Sequence, residues 1–140
     1  MRTSSQWSFT GVMMCLTMAV GCETTERPAQ PQWVQVPIAD VANVAGKWNG
    51  VMRRVPPERR DDWVTVSIAP DGRYQFNSLR TIGVFSGHGE FAVNEGKLLS
   101  KSERGTVEAV LYEGGSQQML KAKGRAADGT EYTAEVKPAK

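Results

Sequence analysis

Ala45-Gly46-Lys47-Trp48-Asn49-Gly50 divides this chain into two kinds of sequence. Before it, Asp40 stands as a helix cap, and Val41, Val44 and Ala45 follow at i, i+3, i+4 spacing. That pattern predicts one or two helical turns between Pro37 and Ala45, ended by Gly46. From Lys47 the period changes to two. Trp48, Gly50 and Met52 share one face, and Lys47, Asn49 and Arg53 share the other. Strict alternation of this kind marks a half-buried strand.

The same alternation continues to the end of the chain. A charged loop, Val55-Pro56-Pro57-Glu58-Arg59-Arg60-Asp61-Asp62, leads into Val64, Val66 and Ile68 on one face, with Trp63, Thr65 and Ser67 on the other. Pro70-Asp71-Gly72 is a tight-turn signal, after which Tyr74, Phe76 and Ser78 alternate with polar residues. The stretch from Leu79 to Ser86 shows no clear period. Gly87, Gly89, Phe91 and Val93 read as one further strand. Turns at Asn94-Glu95-Gly96, Arg104-Gly105, Gly114-Gly115 and Asp128-Gly129 separate the remaining strands, whose inward sets are Val107, Ala109, Leu111; Leu120, Ala122, Gly124; and Tyr132, Ala134, Val136. The expected fold is all-β: about eight short strands in an antiparallel up-and-down barrel, preceded by a short helical turn. In its last hairpin Lys121 and Lys123 are expected to face Glu131 and Glu135. Charged outward faces argue against a lipid-facing membrane barrel.

Towards the N-terminus the character differs. Met1-Arg2 is a short positive segment, and Trp7 to Val20 is an apolar run too short for a membrane span. It ends in Ala19-Val20-Gly21-Cys22. Small residues directly before a cysteine resemble the lipobox of bacterial lipoproteins. That resemblance implies a signal peptide over 1–21, acylation (palmitate and related chains) at Cys22, and a lipidated tether over 22–36. Cys15 follows Met14, which is not small, and is the poorer candidate. Several acyl chains, at about 0.8 kcal/mol per buried CH₂, make such an anchor effectively permanent. Glu23 follows the cysteine, where inner-membrane retention in enteric bacteria typically uses Asp. An outer-membrane location facing the periplasm is therefore expected. The tether residues are polar and Pro-containing, as in extended linkers. Trp33 is expected either to pack across a barrel end or to sit near the membrane interface.

Composition narrows the function. The chain has 140 residues and a net charge of +2, with no basic helix or aromatic-interleaved basic stripe, so nucleic acid is not an expected partner. Two cysteines and one histidine leave no metal-ligand spacing, and neither a metal nor another cofactor is expected. His88 and Glu90 lie on one strand face, but no nucleophile motif accompanies them. Gly83, Gly87 and Gly89 lack the Lys-Ser/Thr and helix start of a phosphate loop and read as strand bends. A non-enzymatic role is expected.

Gly46-Lys47-Trp48 opening the first strand of a meander resembles the lipocalins and the wider calycin group. The resemblance covers the domain at 37–140. It implies that Trp48 packs at the closed end of the barrel, with Gly46 beside it. It further implies that a basic residue from the last strands, Lys123 or Arg125, crosses over Trp48, and that the first long loop overhangs an open end. Arg53, Arg54, Arg59 and Arg60 cluster around that loop as candidates for an anionic ligand or partner. Trp63 is a candidate partner contact. With Trp48, Tyr74, Phe76, Phe91 and Tyr132 pointing inward, the interior is expected to be mostly filled, with at most a shallow pocket at the mouth. The expected function is a monomeric, lipid-anchored envelope protein binding a small ligand or an envelope partner. The alternative is a structural or interaction module, such as an inhibitor of hydrolases.

Globomycin treatment and Cys22→Ser should each leave the uncleaved precursor in the cell, seen as a heavier band on immunoblots. Normal processing under either condition would rule out acylation at Cys22.

Overall fold

Alternating burial from Gly46 onward organises the computed structural model, which describes residues 30–56, 61–80 and 83–140. Among the described residues ten strands run in chain order: β1 (Val34–Val36), β2 (Gly46–Val55), β3 (Asp62–Ile68), β4 (Arg73–Arg80), β5 (Gly83–Glu90), β6 (Ala92–Asn94), β7 (Lys97–Ser102), β8 (Gly105–Gly114), β9 (Gln117–Ala126) and β10 (Glu131–Pro138). Their order in the sheet is β5-β4-β3-β2-β10-β9-β8-β7-β6, antiparallel throughout. Two meanders, β2 to β5 and β6 to β10, are thus joined by pairing of β2 with β10 into a nearly closed barrel.

The sheet path holds nine strands, not the eight read from the alternation. The difference lies at Phe91, the single residue between β5 and β6. Its backbone N–H donates to the Gly72 carbonyl (2.9 Å), and its ring stacks on Tyr74 at 4.1 Å. Held there, the chain stops pairing with β4 and starts pairing with β7 within one residue. Side-chain alternation passes through this break unchanged, so the sequence pattern shows one strand. A second difference concerns the tether. Val34–Val36 forms β1 and pairs with β8 from Val34↔Glu113 to Val36↔Leu111, on the stretch of β8 beyond its pairing with β7. Cys22 and residues 1–21, which the sequence suggests are a signal peptide, lie outside the described residues.

One end of the barrel is closed by the segment before β2. Asp40 caps a 3-10 turn at Val41–Val44 by accepting from the Ala42 N–H (2.9 Å). Three residues per turn put Val41 and Val44 on one side, and both are buried. Ile38 is buried with them, tied to the hairpin between β6 and β7 by its N–H to the Gly96 carbonyl (2.8 Å). Trp48 is 3% exposed and donates from Nε1 to the Val44 carbonyl at 2.9 Å, which satisfies the buried indole N–H. The closed end therefore forms at Gly46-Lys47-Trp48.

Lys123 and Arg125 do not cross over Trp48. In register Trp48 neighbours Val66 and Pro138, whereas Lys123 and Arg125 pair with Thr133 and Glu131 towards the other end. A last-strand cation does lie over a tryptophan, but the pair is Lys137 and Trp33, with Nζ 5.2 Å from the ring centre. Of the expected cross-strand charges, Lys121 meets Glu135 (3.3 Å), while Glu131 meets Arg125 (3.8 Å) and not Lys123. Such exposed pairs set register more than they stabilise.

Trp48→Ala removes a buried ring and its hydrogen bond from the closed end. Urea unfolding should show a loss of about 3–5 kcal/mol. A neutral substitution would mean that Trp48 does not hold that end.

Candidate functional site

The open end lies where β2 meets β3, β4 meets β5, β7 meets β8 and β9 meets β10. Below it is a cavity of about 580 Å³. Its walls are mainly apolar: Met52, Val64 and Val66 on one side, Val107, Ala109 and Leu120 opposite, with Tyr74, Phe76, Phe85 and Tyr132 between them. This corrects the expectation of a filled interior.

Small side chains explain the space. Along β8, β9 and β10, Ala109, Ala122, Gly124 and Ala134 line the cavity where large residues would fill it. On β5, Gly87 and Gly89 also face inward. A Cβ on Gly87 would run into the Phe76 ring, and one on Gly89 would come within 2.8 Å of the Tyr74 hydroxyl. The rings of β4 thus lie flat over the backbone of β5 and leave the centre clear, which is how edge glycines and aromatics commonly pair. Where the sequence suggests strand bends, Gly87 and Gly89 make room for rings.

The seam between β5 and β7 is bridged by side chains. Tyr74 reaches from β4 and donates from its hydroxyl to Ser100 Oγ at 3.4 Å. Nearer the mouth Phe85 stands between Phe76 and Tyr132, with ring centres 5.5 and 6.0 Å away. These rings span the mouth from β5 to β10. Polar groups of the cavity, Ser102, Arg104, Thr106, Arg125 and Asp128, gather at this end. Asp128 accepts from the Thr130 backbone N–H (2.9 Å), which holds its carboxyl below the usual range, and the Arg54 charge adds to the effect.

The predicted site residues divide. Arg54 belongs to the rim, in register with Tyr132 one residue before the end of β2. Arg53 lies on the outer wall and does not line the cavity. It donates from Nε and a terminal nitrogen to the two oxygens of Asp61, both at 2.7 Å, closing the base of the charged loop. Arg59 and Arg60 lie outside the described residues. Trp63 projects outward and is largely exposed. His88 is exposed on β5, beside the seam. Sequence reasoning missed Phe85, Arg104 and Asp128. A signal for Phe85 existed, an aromatic among glycines spaced by two, but it fell in the stretch without a clear period.

A second depression, of about 400 Å³, lies on the outer face of β7 to β10 and β2. Four of its six charged side chains pair with one another, Lys97 with Glu108 (3.2 Å) and Lys121 with Glu135, and Arg53 pairs with Asp61. That arrangement is a solvated cross-strand ladder. Among the described residues no group of three or more His, Cys, Asp or Glu is placed to hold a metal ion, and no helix is long and apolar enough to cross a membrane. No family model matches the chain, and no curated protein matches it.

Arg53 holds the Asp61 carboxyl below the usual carboxylate range, mainly through the paired hydrogen bonds. A depressed carboxylate contributes stability above the pKa of the unfolded chain and loses it as pH falls through the folded value. In a ¹³C NMR titration Asp61 should have a midpoint below that of a free Asp. Arg53→Ala should return it to the ordinary range; an unchanged midpoint would mean that the pair does not form in solution.

Proposed function

We propose that this is a monomeric, lipid-anchored, non-enzymatic protein of the bacterial cell envelope whose lipocalin-like barrel binds a small, largely apolar ligand. One observation carries the ligand reading: an apolar cavity of about 580 Å³ inside the barrel, kept clear by Ala109, Ala122, Gly124 and Ala134. Pockets for small molecules fall in the range of roughly 300–1,000 Å³ and combine apolar walls with a few polar groups. Here the polar groups sit at one end, so a bound molecule would place its apolar body deep and any polar end among Arg104, Arg125 and Asp128. The lipobox-like Ala19-Val20-Gly21-Cys22 supports the anchor, and Glu23 supports an outer-membrane location facing the periplasm. The Gly46-Lys47-Trp48 arrangement at the closed end, with Trp48 bonded to Val44, supports the likeness to lipocalins.

Native mass spectrometry of the protein purified from its own cells should show an added mass that organic solvent removes. Ala122→Phe, which fills the cavity without adding charge, should abolish that mass. It should also weaken uptake of the apolar dye N-phenyl-1-naphthylamine at least tenfold. A ligand-free mass together with no dye uptake by the unaltered protein would overturn the ligand reading.

A further inference from the structure

Among the described residues, the Ser78 hydroxyl is the one buried side-chain polar group without a hydrogen-bond partner. Ser78 follows Tyr74 and Phe76 on the inward face of β4, while Leu79 beside it points out. Its register partners are Val64 on β3 and Phe85 on β5, and both of these line the cavity. Ser78 itself is fully buried and does not line it. The Phe85 ring starts beside Ser78 and crosses the mouth, its centre 5.5 Å from Phe76 and 6.0 Å from Tyr132. Ser100, the other buried serine, accepts from the Tyr74 hydroxyl, so its position has an explanation within the fold. Ser78 has none. A hydroxyl shut away from water without a partner loses its hydration and gains nothing in return. Packing does not require one either: alanine is as small, and Ala109, Ala122 and Ala134 already line this cavity.

We infer that Ser78 is a ligand-binding residue and Phe85 the gate over it: an entering molecule displaces the ring and pairs its own polar atom with Ser78 Oγ. This rests on the cavity reading above and names the chemistry of the ligand. It is a compact apolar molecule with a hydroxyl or carbonyl oxygen that reaches the β4 wall. A serine hydroxyl both donates and accepts, so it serves either group. Phe85 is the ring free to leave. It is 36% exposed, whereas Phe91 at the other end of the same seam is 7% exposed and held in the core. Its strand lies at one end of the sheet path and is paired on one side only, with β4. Rotation about two side-chain torsions moves the ring off Ser78 and leaves the β4–β5 ladder whole. The unpaired hydroxyl is then a cost of the empty barrel that a ligand of the right chemistry removes.

The test uses the mature protein in nanodiscs, with empty nanodiscs as the blank. Equilibrium dialysis compares naphthalene with 2-naphthol, which differ by one hydroxyl. We expect 2-naphthol to bind about fivefold more tightly, as one hydrogen bond allows. Ser78→Ala should remove that preference, leave naphthalene binding unchanged and not lower the melting temperature. Naphthalene uptake without a preference, or a preference that survives Ser78→Ala, would overturn the role of Ser78 and leave the cavity reading standing. A lower melting temperature in Ser78→Ala would also overturn it, because the hydroxyl would then have a partner within the fold. Binding of neither compound would overturn the cavity reading and this one together. Stopped-flow fluorescence with N-phenyl-1-naphthylamine reads the gate. Phe85→Ala should speed both entry and release of the dye about tenfold, with a smaller change in affinity, and Phe85→Tyr should restore slow exchange. Unchanged rates in Phe85→Ala would overturn the gate.

Discussion

Antiparallel pairing of β2 with β10, from Glu131↔Val55 to Pro138↔Trp48, is the constraint on which the other features depend. Without it the chain is two open meanders, each with an exposed edge. With it the inward faces of both meanders confront one another, Trp48, Met52 and Val64 meet Leu111, Leu120 and Val136, and a single core forms. Both cysteines precede the barrel, so no disulfide within it assists this closure. The pairing joins strands far apart in sequence, and its loop-closure cost must be met by burial alone. The 3-10 turn contributes by covering the end at which the two strands begin and finish, with Val44 accepting from Trp48.

The periodic part of this architecture is legible in the sequence. Alternation identifies the inward residues of β2, β3, β4, β8, β9 and β10, and the turns at Asp71-Gly72, Glu95-Gly96 and Asp128-Gly129 fall where glycine-bearing pairs predict them. Relations between strands are not legible. Phe91 breaks the pairing without breaking the alternation, so one strand becomes two. Val34–Val36 is too short to show a period, and only its place beside β8 makes it a strand. The resemblance to lipocalins implies Lys123 or Arg125 over Trp48, but both stand towards the other end, because alternation fixes a face and not a height along the barrel.

The cavity escaped the sequence reading for a related reason. Each of Ala109, Ala122, Gly124 and Ala134 is unremarkable in its own strand. Only closure brings them to one wall, opposite the rings that Gly87 and Gly89 allow to lie flat. An aromatic count predicted a filled interior; the positions of the small residues produce an open one. Likewise, the arginines near the first long loop look like one cluster in sequence, yet Arg53 is bound to Asp61 on the outer wall while Arg54 stands at the rim.

The seam beside Phe91 gives the barrel an uneven mechanical character. Around most of the circumference, widening the wall means breaking a ladder of backbone hydrogen bonds. Between β5 and β7 the described connections are the Tyr74–Ser100 hydroxyl contact and packed rings. Spreading the wall there strains rotatable side chains and leaves the ladders whole. The barrel is stiff across its paired strands and compliant along one line, and that line runs beside its cavity.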